Sequence, residues 1–501
     1  MRFAAILLLL PIALATPTPL SSSGDEPPLA PLSTTGEHID DSYIVVFKKD
    51  VNLDQIALHL TTVEDAHAAD PLFAFTSDGE LDAGGVNHVY APVKSKLSYY
   101  GYAGKFSPST LNTIRSSPDV AYVEHDQIVR TQDVPQGVDD AFATASSDIT
   151  TELGAPWGLA RISHRATLHL STFTKYLYDS NGGEGVTAYV IDTGINIDHV
   201  EFQGRAKWGK TIPKNDVDKD GNGHGTHCAG TMVSRKYGVA KAAEVVAVKV
   251  LGSNGSGSMS DVVAGVVWAA EDAAAKDAAA AAELKATGKT KHKGSVANMS
   301  LGGGKAKSLD DAVDAAVEAG LHFAVAAGND NKDACNYSPA SSKLAITVGA
   351  STLGDERAYF SNHGKCVDVF APGLNILSTW NGGNETTNTI SGTSMASPHI
   401  CGLLAYLVSI QGSETFSALV DEDIAQVSYY AKAFSLLPSV AQAVLPAPAS
   451  ASLAPVPKKP LSPAQMKKAL IGLASPGMLK DLPTGTPNLL AFNNATLPAK
   501  K

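Results

Sequence analysis

A chain of 501 residues with 44% hydrophobic and 18% charged residues is globular and too long for one ordinary domain. Its formal net charge of -11 argues against a surface built for nucleic acid. The amino terminus, MRFAAILLLLPIALATP, sets one early Arg before an apolar run from Phe3 to Ala15, with small residues at Ala13 and Ala15. That pattern predicts a signal peptide over residues 1–15 and hence entry into the secretory pathway. Spanning hydrocarbon takes about 20 apolar residues, which neither this run nor any later segment supplies, so no membrane anchor is expected.

A Pro/Ser-rich leader over 16–39 is expected to be disordered. SYIVVF (42–47) and VAYVEHDQIV (120–129) read as strands with helical patterns between them, so residues 40–132 form a small α+β unit. Residues 133–154 lack periodicity and read as a linker and processing region. The larger unit, 155–494, alternates short apolar runs with helical stretches: VTAYVID, AEVVAVKVL, SVANMSLG, HFAVAAGN and AITVGAS end in Gly, Asp, Asn or Ser. Between them lie helices at 260–286 and 308–320, the latter with Ser308 as expected N-cap and Asp310 and Asp311 in its first turn. Strands buried on both faces and joined by helices predict an α/β fold with a mainly parallel sheet. Functional residues then collect past the carboxyl ends of the strands. A Pro/Ala-rich stretch at about 437–463 reads as an insertion, because Ser462, Pro463 and Gln465 then begin a tidily capped helix.

Residues 216–227, DVDKDGNGHGTH, invite three chemistries. A calcium loop counted from Asp216 needs a bidentate Glu at its twelfth position, which is His227. A helical zinc motif needs an intervening Glu and i, i+4 histidines, which are lacking. The third reading is a catalytic base, His224, with the aspartates as a solvated turn leading into its helix. A serine hydroxyl is a poor nucleophile until a base takes its proton and a third group orients that base. YVIDTGINIDHVEF supplies Asp192, NGHGTHCAGT supplies His224 and SGTSMASPH supplies Ser394. The order Asp, His, Ser differs from that of the α/β-hydrolases, whose G-x-S-x-G is here G-x-S-x-A. Ser394 also opens an apolar helical run, which points its N–H at a developing oxyanion. Four cysteines, at 228, 335, 366 and 401, allow three pairings that spacing alone leaves open. Sequons at Asn254, Asn336, Asn384 and Asn494 mark a candidate glycoprotein, while Asn298 follows an apolar run and is expected to be buried.

VIDTGI, NGHGTHCAGT, NMSLGGG, AVAAGN and SGTSMASPH together resemble the subtilases of the proteinase K-like branch. NMSLGGGKAKSLDDAV, AAGNDNKDACNYSPAS and APGLNILSTWNGG are most similar to the fungal cerevisin, or vacuolar protease B, group. The resemblance spans nearly the whole chain and implies a subtilisin-like three-layer sandwich preceded by an inhibitory, chaperoning propeptide. It implies a serine endopeptidase made as an autoprocessed zymogen, needing no cofactor for catalysis and acting on protein and peptide substrates. A monomer in the vacuole or outside the cell is the corresponding expectation. Asn329 resembles the oxyanion donor of the family. Two edge strands, with Gly255, Ser256 and Gly257 on one and Ser300, Leu301, Gly302 and Gly303 on the other, would pair with substrate backbone. The latter, with Ala326, Ala327 and Gly328, would line the pocket before the scissile bond, and Met259 a more distant one. These small linings suggest broad specificity with an apolar or aromatic leaning. The tail around DQIVRTQ would lie in the cleft until cut. Cys335 and Cys366 match a disulfide spacing of some relatives, Cys228 a buried thiol beneath the histidine, and Cys401 reads as a small hydrophobe. Asp368 resembles a calcium ligand acting with carbonyls near Lys343 and Ala345. The alternative, a catalytically silent subtilase-like binding protein, is disfavoured by the intact Asp192, His224, Ser394 and Asn329.

Overall fold

The structure is a computed structural model that describes residues 28–72, 74, 75, 81–92, 96–135, 149–412, 416 and 460–495. The expected signal peptide and most of the expected 437–463 insertion lie outside the described residues.

The amino-terminal unit consists of β1 (His38–Phe47), α1 (Leu53–Ala69), β2 (Gly85–Tyr90), β3 (Gly101–Lys105), α2 (Pro108–Ser116) and β4 (Val120–Thr131). These four strands run in the antiparallel order β4-β1-β3-β2. Leu32–Ser33, in the part of the leader expected to be disordered, pairs parallel with β4 at Val123 and Glu124, a correction that follows from the free edge β4 offers. Asn52 and Gln55 close a capping box on α1, and Ser107 caps α2 ahead of Pro108. Alternation along β1 sorts its side chains: Tyr43, Val45 and Phe47 face a core with Ile56, Val63 and Ile114 of the two helices. Ile44 and Val46 face the other way, into a core shared with the larger unit. Strands β2 and β3 lie where helical patterns are expected, because GVNHVY and GYAGK carry glycines and a histidine where an apolar alternation would signal a strand.

The larger unit is built on a nine-stranded sheet. In chain order its strands are β5 (Val186–Asp192), β6 (Ala206–Thr211), β7 (Glu244–Lys249), then, after the short cleft strand β8 (Ser256–Ser258), β9 (Gly294–Met299). After a second cleft strand, β10 (Leu301–Gly304), come β11 (His322–Ala326), β12 (Ile346–Ser351), β13 (Val369–Pro372), β14 (Ser475–Pro476) and β15 (Leu489–Leu490). The spatial order is β6-β7-β5-β9-β11-β12-β13-β15-β14, parallel throughout except for the last pair. On β5, Val186, Ala188 and Val190 face a core with helices α3 (His224–Val233), α6 (Thr393–Ser409) and α7 (Pro463–Leu473). Tyr189 and Ile191 face α4 (Met259–Thr287) and α5 (Lys307–Glu318). Helices on both faces of a mainly parallel sheet give the three-layer α/β sandwich of a subtilisin fold, preceded by the α+β unit. The apolar faces of α4 and α5 carry the amino-terminal sheet as a fourth layer.

One expected cap is corrected. Helix α5 begins at Lys307, and its N-cap is Ala306 without a side-chain bond. Ser308 lies inside the first turn, buried, with its hydroxyl unpartnered. Glu124 of the amino-terminal unit caps this helix instead.

Candidate active site

Asp192 ends β5, where a parallel strand delivers its last side chain to the sheet edge. Its Oδ1 accepts the Thr193 N–H at 2.7 Å, and the two carboxylate oxygens accept His224 Nδ1–H at 2.8 and 3.0 Å. A carboxylate only accepts, so Nδ1 must carry the proton and Nε2 is left as the base. Both side chains are fully buried and His224 Nε2 has no partner.

His224 is the first residue of α3, and Asp220 fixes that end of the helix. Its Oδ1 accepts the N–H groups of Asn222 (3.0 Å) and Gly223 (2.9 Å), and its Oδ2 accepts the Thr226 N–H (3.0 Å) and hydroxyl (2.6 Å). Asp220 is therefore a buried cap and not part of a solvated turn, a correction that follows from the orphan N–H groups of any helix start. Asp216 and Asp218 diverge from it. Asp216 faces the Lys249 ammonium at 3.3 Å, and Asp218 accepts the Thr211 hydroxyl at 2.7 Å. His227 Nε2 lies 2.9 Å from the Ile376 carbonyl and 3.2 Å from that of Asn388, which commits it away from any metal shared with His224. Burial pushes its pKa down to about 3 and keeps it neutral.

Ser394 is the second residue of α6. Pro398 lies four residues on and has no N–H, so the Ser394 carbonyl loses its helical partner. The Ser300 hydroxyl takes that carbonyl at 2.8 Å, with the Cys228 thiol at 3.5 Å. In return the Ser394 hydroxyl donates to the Ser300 carbonyl at 2.9 Å. Asn298, fully buried, orders this pair through its own bond to the Ser300 hydroxyl. The sequence places Ser300 only in the cleft strand and the pocket lining, because nothing local reveals that its hydroxyl answers a proline 98 positions later. Asn329 Oδ1 holds the Thr393 N–H and hydroxyl, each at 2.9 Å, and this leaves its buried Nδ2 donor free.

A segment of the chain itself runs through this site. Arg130, Val129 and Ile128 pair antiparallel with Ser256, Gly257 and Ser258, while Thr131 and Arg130 pair with Leu301 and Gly302 on the other side. The Gln132 carbonyl accepts the Ser394 N–H at 3.3 Å. A Cβ placed on Gly392 would stand 2.3 Å from that carbonyl oxygen and 3.1 Å from Asn329 Nδ2, so both border one small space that only glycine leaves open. Past Asp133, Val134 and Pro135 pair with Ser391 and Ile390. Gly302 lies beside the Gln132 side chain, and Gly303 beside Val129 and the buried Met259. Ala326 and Ala327 are buried behind the cleft, and Gly328 approaches Asn362 too closely for a side chain. Gly255 has left-handed backbone at φ 75°, against Thr131.

Electrostatics bear on His224. Burial pulls its pKa down, but the charge and hydrogen bond of Asp192 override that, helped by Asp133 and Asp220, and raise it to about 9. Burial pushes the Cys228 thiol well up, so it sits beneath the site as a neutral group.

The description "Subtilase family" matches residues 183–427, and "Peptidase inhibitor I9" matches residues 42–132. The subtilisin-like serine protease Pen c 2 of Penicillium citrinum is 51% identical over 498 residues, covering 97% of this chain and 95% of its own length. The chain belongs to the subtilase family. Alkaline protease 2 of Aspergillus fumigatus is 52% identical to this subtilase over 473 residues, 92% of this chain and 82% of that one. A solved cold-adapted subtilisin-like serine proteinase superposes with a TM-score of 0.50 at 38% identity, covering 68% of this chain and 98% of its own. This subtilase is thus a serine protease with an I9 propeptide, and its chemistry requires no cofactor.

Two further expectations concern stability. Cys335 and Cys366 are joined, with Cα atoms 5.3 Å apart, while Cys228 and Cys401 are free and buried. The calcium expectation at Asp368 meets a different occupant: the Lys467 ammonium stands 2.8 Å from Asp368 Oδ2. It also donates to the Ala345 and Lys343 carbonyls, so the oxygens expected to hold calcium are already taken by an ammonium, and the residues present do not fit a metal.

Proposed function

We propose that this subtilase is an endopeptidase made as a zymogen that cuts itself between Gln132 and Asp133, with Asp192, His224 and Ser394 as the catalytic triad. The observation that carries the reading is the Gln132 carbonyl on the Ser394 N–H, in a segment strand-paired on both sides of that bond. The Ser394 hydroxyl turns from the Ser300 carbonyl toward His224 Nε2, gives up its proton there, and its oxygen bonds to the Gln132 carbonyl carbon. The developing oxyanion is held by the Ser394 N–H and Asn329 Nδ2. As the C–N bond breaks, His224 passes the proton to the Asp133 nitrogen, and the new amine leaves. Water then gives a proton to His224 and attacks the ester. A Gln132 carboxylate is released, and the proton returns to Ser394. Asp192 keeps Nδ1 protonated and supports the positive imidazolium throughout.

After release of the segment that ends at Gln132, a substrate would add its backbone between β8 and β10 in the same register, by β-augmentation. Glycines 302, 303 and 328 and alanines 326 and 327 would be small linings of the pocket before the scissile bond. This favours broad cleavage with an apolar or aromatic leaning, and Val129 beside Met259 marks the more distant apolar pocket. Gln132 departs from that leaning because an intramolecular bond is presented at high effective concentration whatever its side chain. The wording of NMSLGGGKAKSLDDAV and APGLNILSTWNGG supports the proteinase K-like branch and the cerevisin group, and with the expected signal peptide it supports a vacuolar or extracellular enzyme.

Mass spectrometry of the expressed chain should find a fragment ending at Gln132 and a serine labelled by sulfonyl fluoride at position 394. The Ser394→Ala chain should keep the propeptide attached. Cleavage of the purified variant at the same bond would refute self-processing, and absence of labelling would return the reading to a silent binding protein.

A further inference from the structure

Helix α7 is docked firmly before it does anything else. A capping box of Ser462 and Gln465 starts it, and Met466, Leu470 and Leu473 bury their side chains in the core beneath α6. Those three residues lie on one helical face, which places Lys467 at its margin, over the ends of β12 and β13. Its Nζ is 2.6 Å from the Ala345 carbonyl oxygen, 3.3 Å from that of Lys343 and 2.8 Å from Asp368 Oδ2. An ammonium has three N–H donors and no acceptor, and it meets three acceptors here. Asp368 is held ready by the Thr347 N–H at 2.9 Å on the same oxygen, while its own N–H donates to the Thr347 carbonyl at 2.9 Å.

These lengths belong to N–H···O bonds, and the donor count suits a cation that asks for three partners. Calcium asks for six to eight oxygens at about 2.3–2.6 Å. It would have to expel an ammonium from its own carboxylate, and both Asp368 oxygens and the two carbonyls would still leave the rest of its shell to water. The charge is already balanced, one positive group against one negative.

We propose that Lys467 serves as the built-in cation of this cradle, replacing a divalent metal and pinning the last helix of the fold to the loop before β12 without calcium. The pin joins two segments separated by the whole of β12, β13 and α6, so its loss would loosen the carboxyl-terminal part from the sheet.

The test uses the full chain with Ser394→Ala, which removes self-digestion, and reads thermal unfolding in chelator and in millimolar calcium. Any calcium response of this parent should be the same after Asp368→Asn, because no calcium binds there. Lys467→Met should lower the melting temperature in chelator by about 1 to 2 °C, the scale expected for a partly exposed, hydrogen-bonded charged pair in a protein of this size. A calcium-induced rise in the parent that Asp368→Asn abolishes would overturn the proposal, and so would Lys467→Met melting with its parent in chelator. The parent comparison needs no Lys467 variant, so it decides the matter even if Lys467→Met does not fold.

Discussion

Glu124, in the propeptide, accepts the backbone N–H of Ser308, in the peptidase unit, at 3.0 Å. Its other oxygen takes the Lys307 N–H at 2.9 Å, so one carboxylate satisfies two orphan donors at the start of α5. Two residues on, on the same face of β4, Asp126 accepts the Ser260 N–H at 3.0 Å and its hydroxyl at 2.6 Å at the start of α4. The propeptide therefore places negative charge on the positive ends of two neighbouring helices, where dipole and hydrogen bond act together. Replacing either acid by Ala should weaken inhibition by separately added propeptide about 2- to 30-fold, the range of a lost N-cap of ~0.5–2 kcal/mol. The inhibition constant against the mature enzyme measures this, and unchanged inhibition would remove the capping role.

Asn329 gives its oxygen to Thr393 and keeps its nitrogen free beside the Gln132 carbonyl. A donor used only as charge develops should show in turnover more than in binding. Asn329→Ala is expected to lower kcat by about 10² to 10³ with KM little changed, measured on a peptide substrate with mature enzyme.

The raised pKa of His224 has a sign that can be tested. A protonated imidazole cannot take the serine proton, so self-processing should accelerate as pH rises toward about 9. Asp133 contributes to that rise and sits on the leaving side of the bond, so Asp133→Asn should move the rising limb of the processing rate to lower pH. The stability linkage runs the other way. A histidine raised from 6.5 stabilises the uncut chain fully below 6.5, and this contribution is lost as pH rises through about 9. A processing profile unmoved in Asp133→Asn, followed by gel densitometry, would count against the charge coupling.

The Cys335–Cys366 bridge closes a span of 31 residues. On the loop-entropy argument it contributes about 3.7 kcal/mol by restricting the unfolded chain, so the double Ser variant should unfold at lower denaturant with an equal or steeper transition slope. Chemical unfolding of the Ser394→Ala chain, with and without the bridge, measures that difference.

The sequence by itself determined what contiguous residues encode. The runs at 186–192 and 346–351, the capping box of Ser462 and Gln465 and the burial of Asn298 follow from periodicity and local hydrogen-bond chemistry, and the structure has each of them. The ordered motifs around Asp192, His224 and Ser394 were equally legible, because a nucleophile that needs a base and an orienting acid leaves a pattern of residue types. Strands such as AKWGKT at 206–211, with Lys and Gly at an edge, gave no such signal. Tertiary structure alone decided which distant partner fills each need. Glu124 and not Ser308 caps α5, Asp220 is a buried cap, the Ser300 hydroxyl answers Pro398, and the Lys467 ammonium stands on Asp368. The physical reason is common to all four. A helix end, a freed carbonyl or a lone carboxylate shows in the sequence as an unsatisfied group, but its partner is set by how separate elements pack.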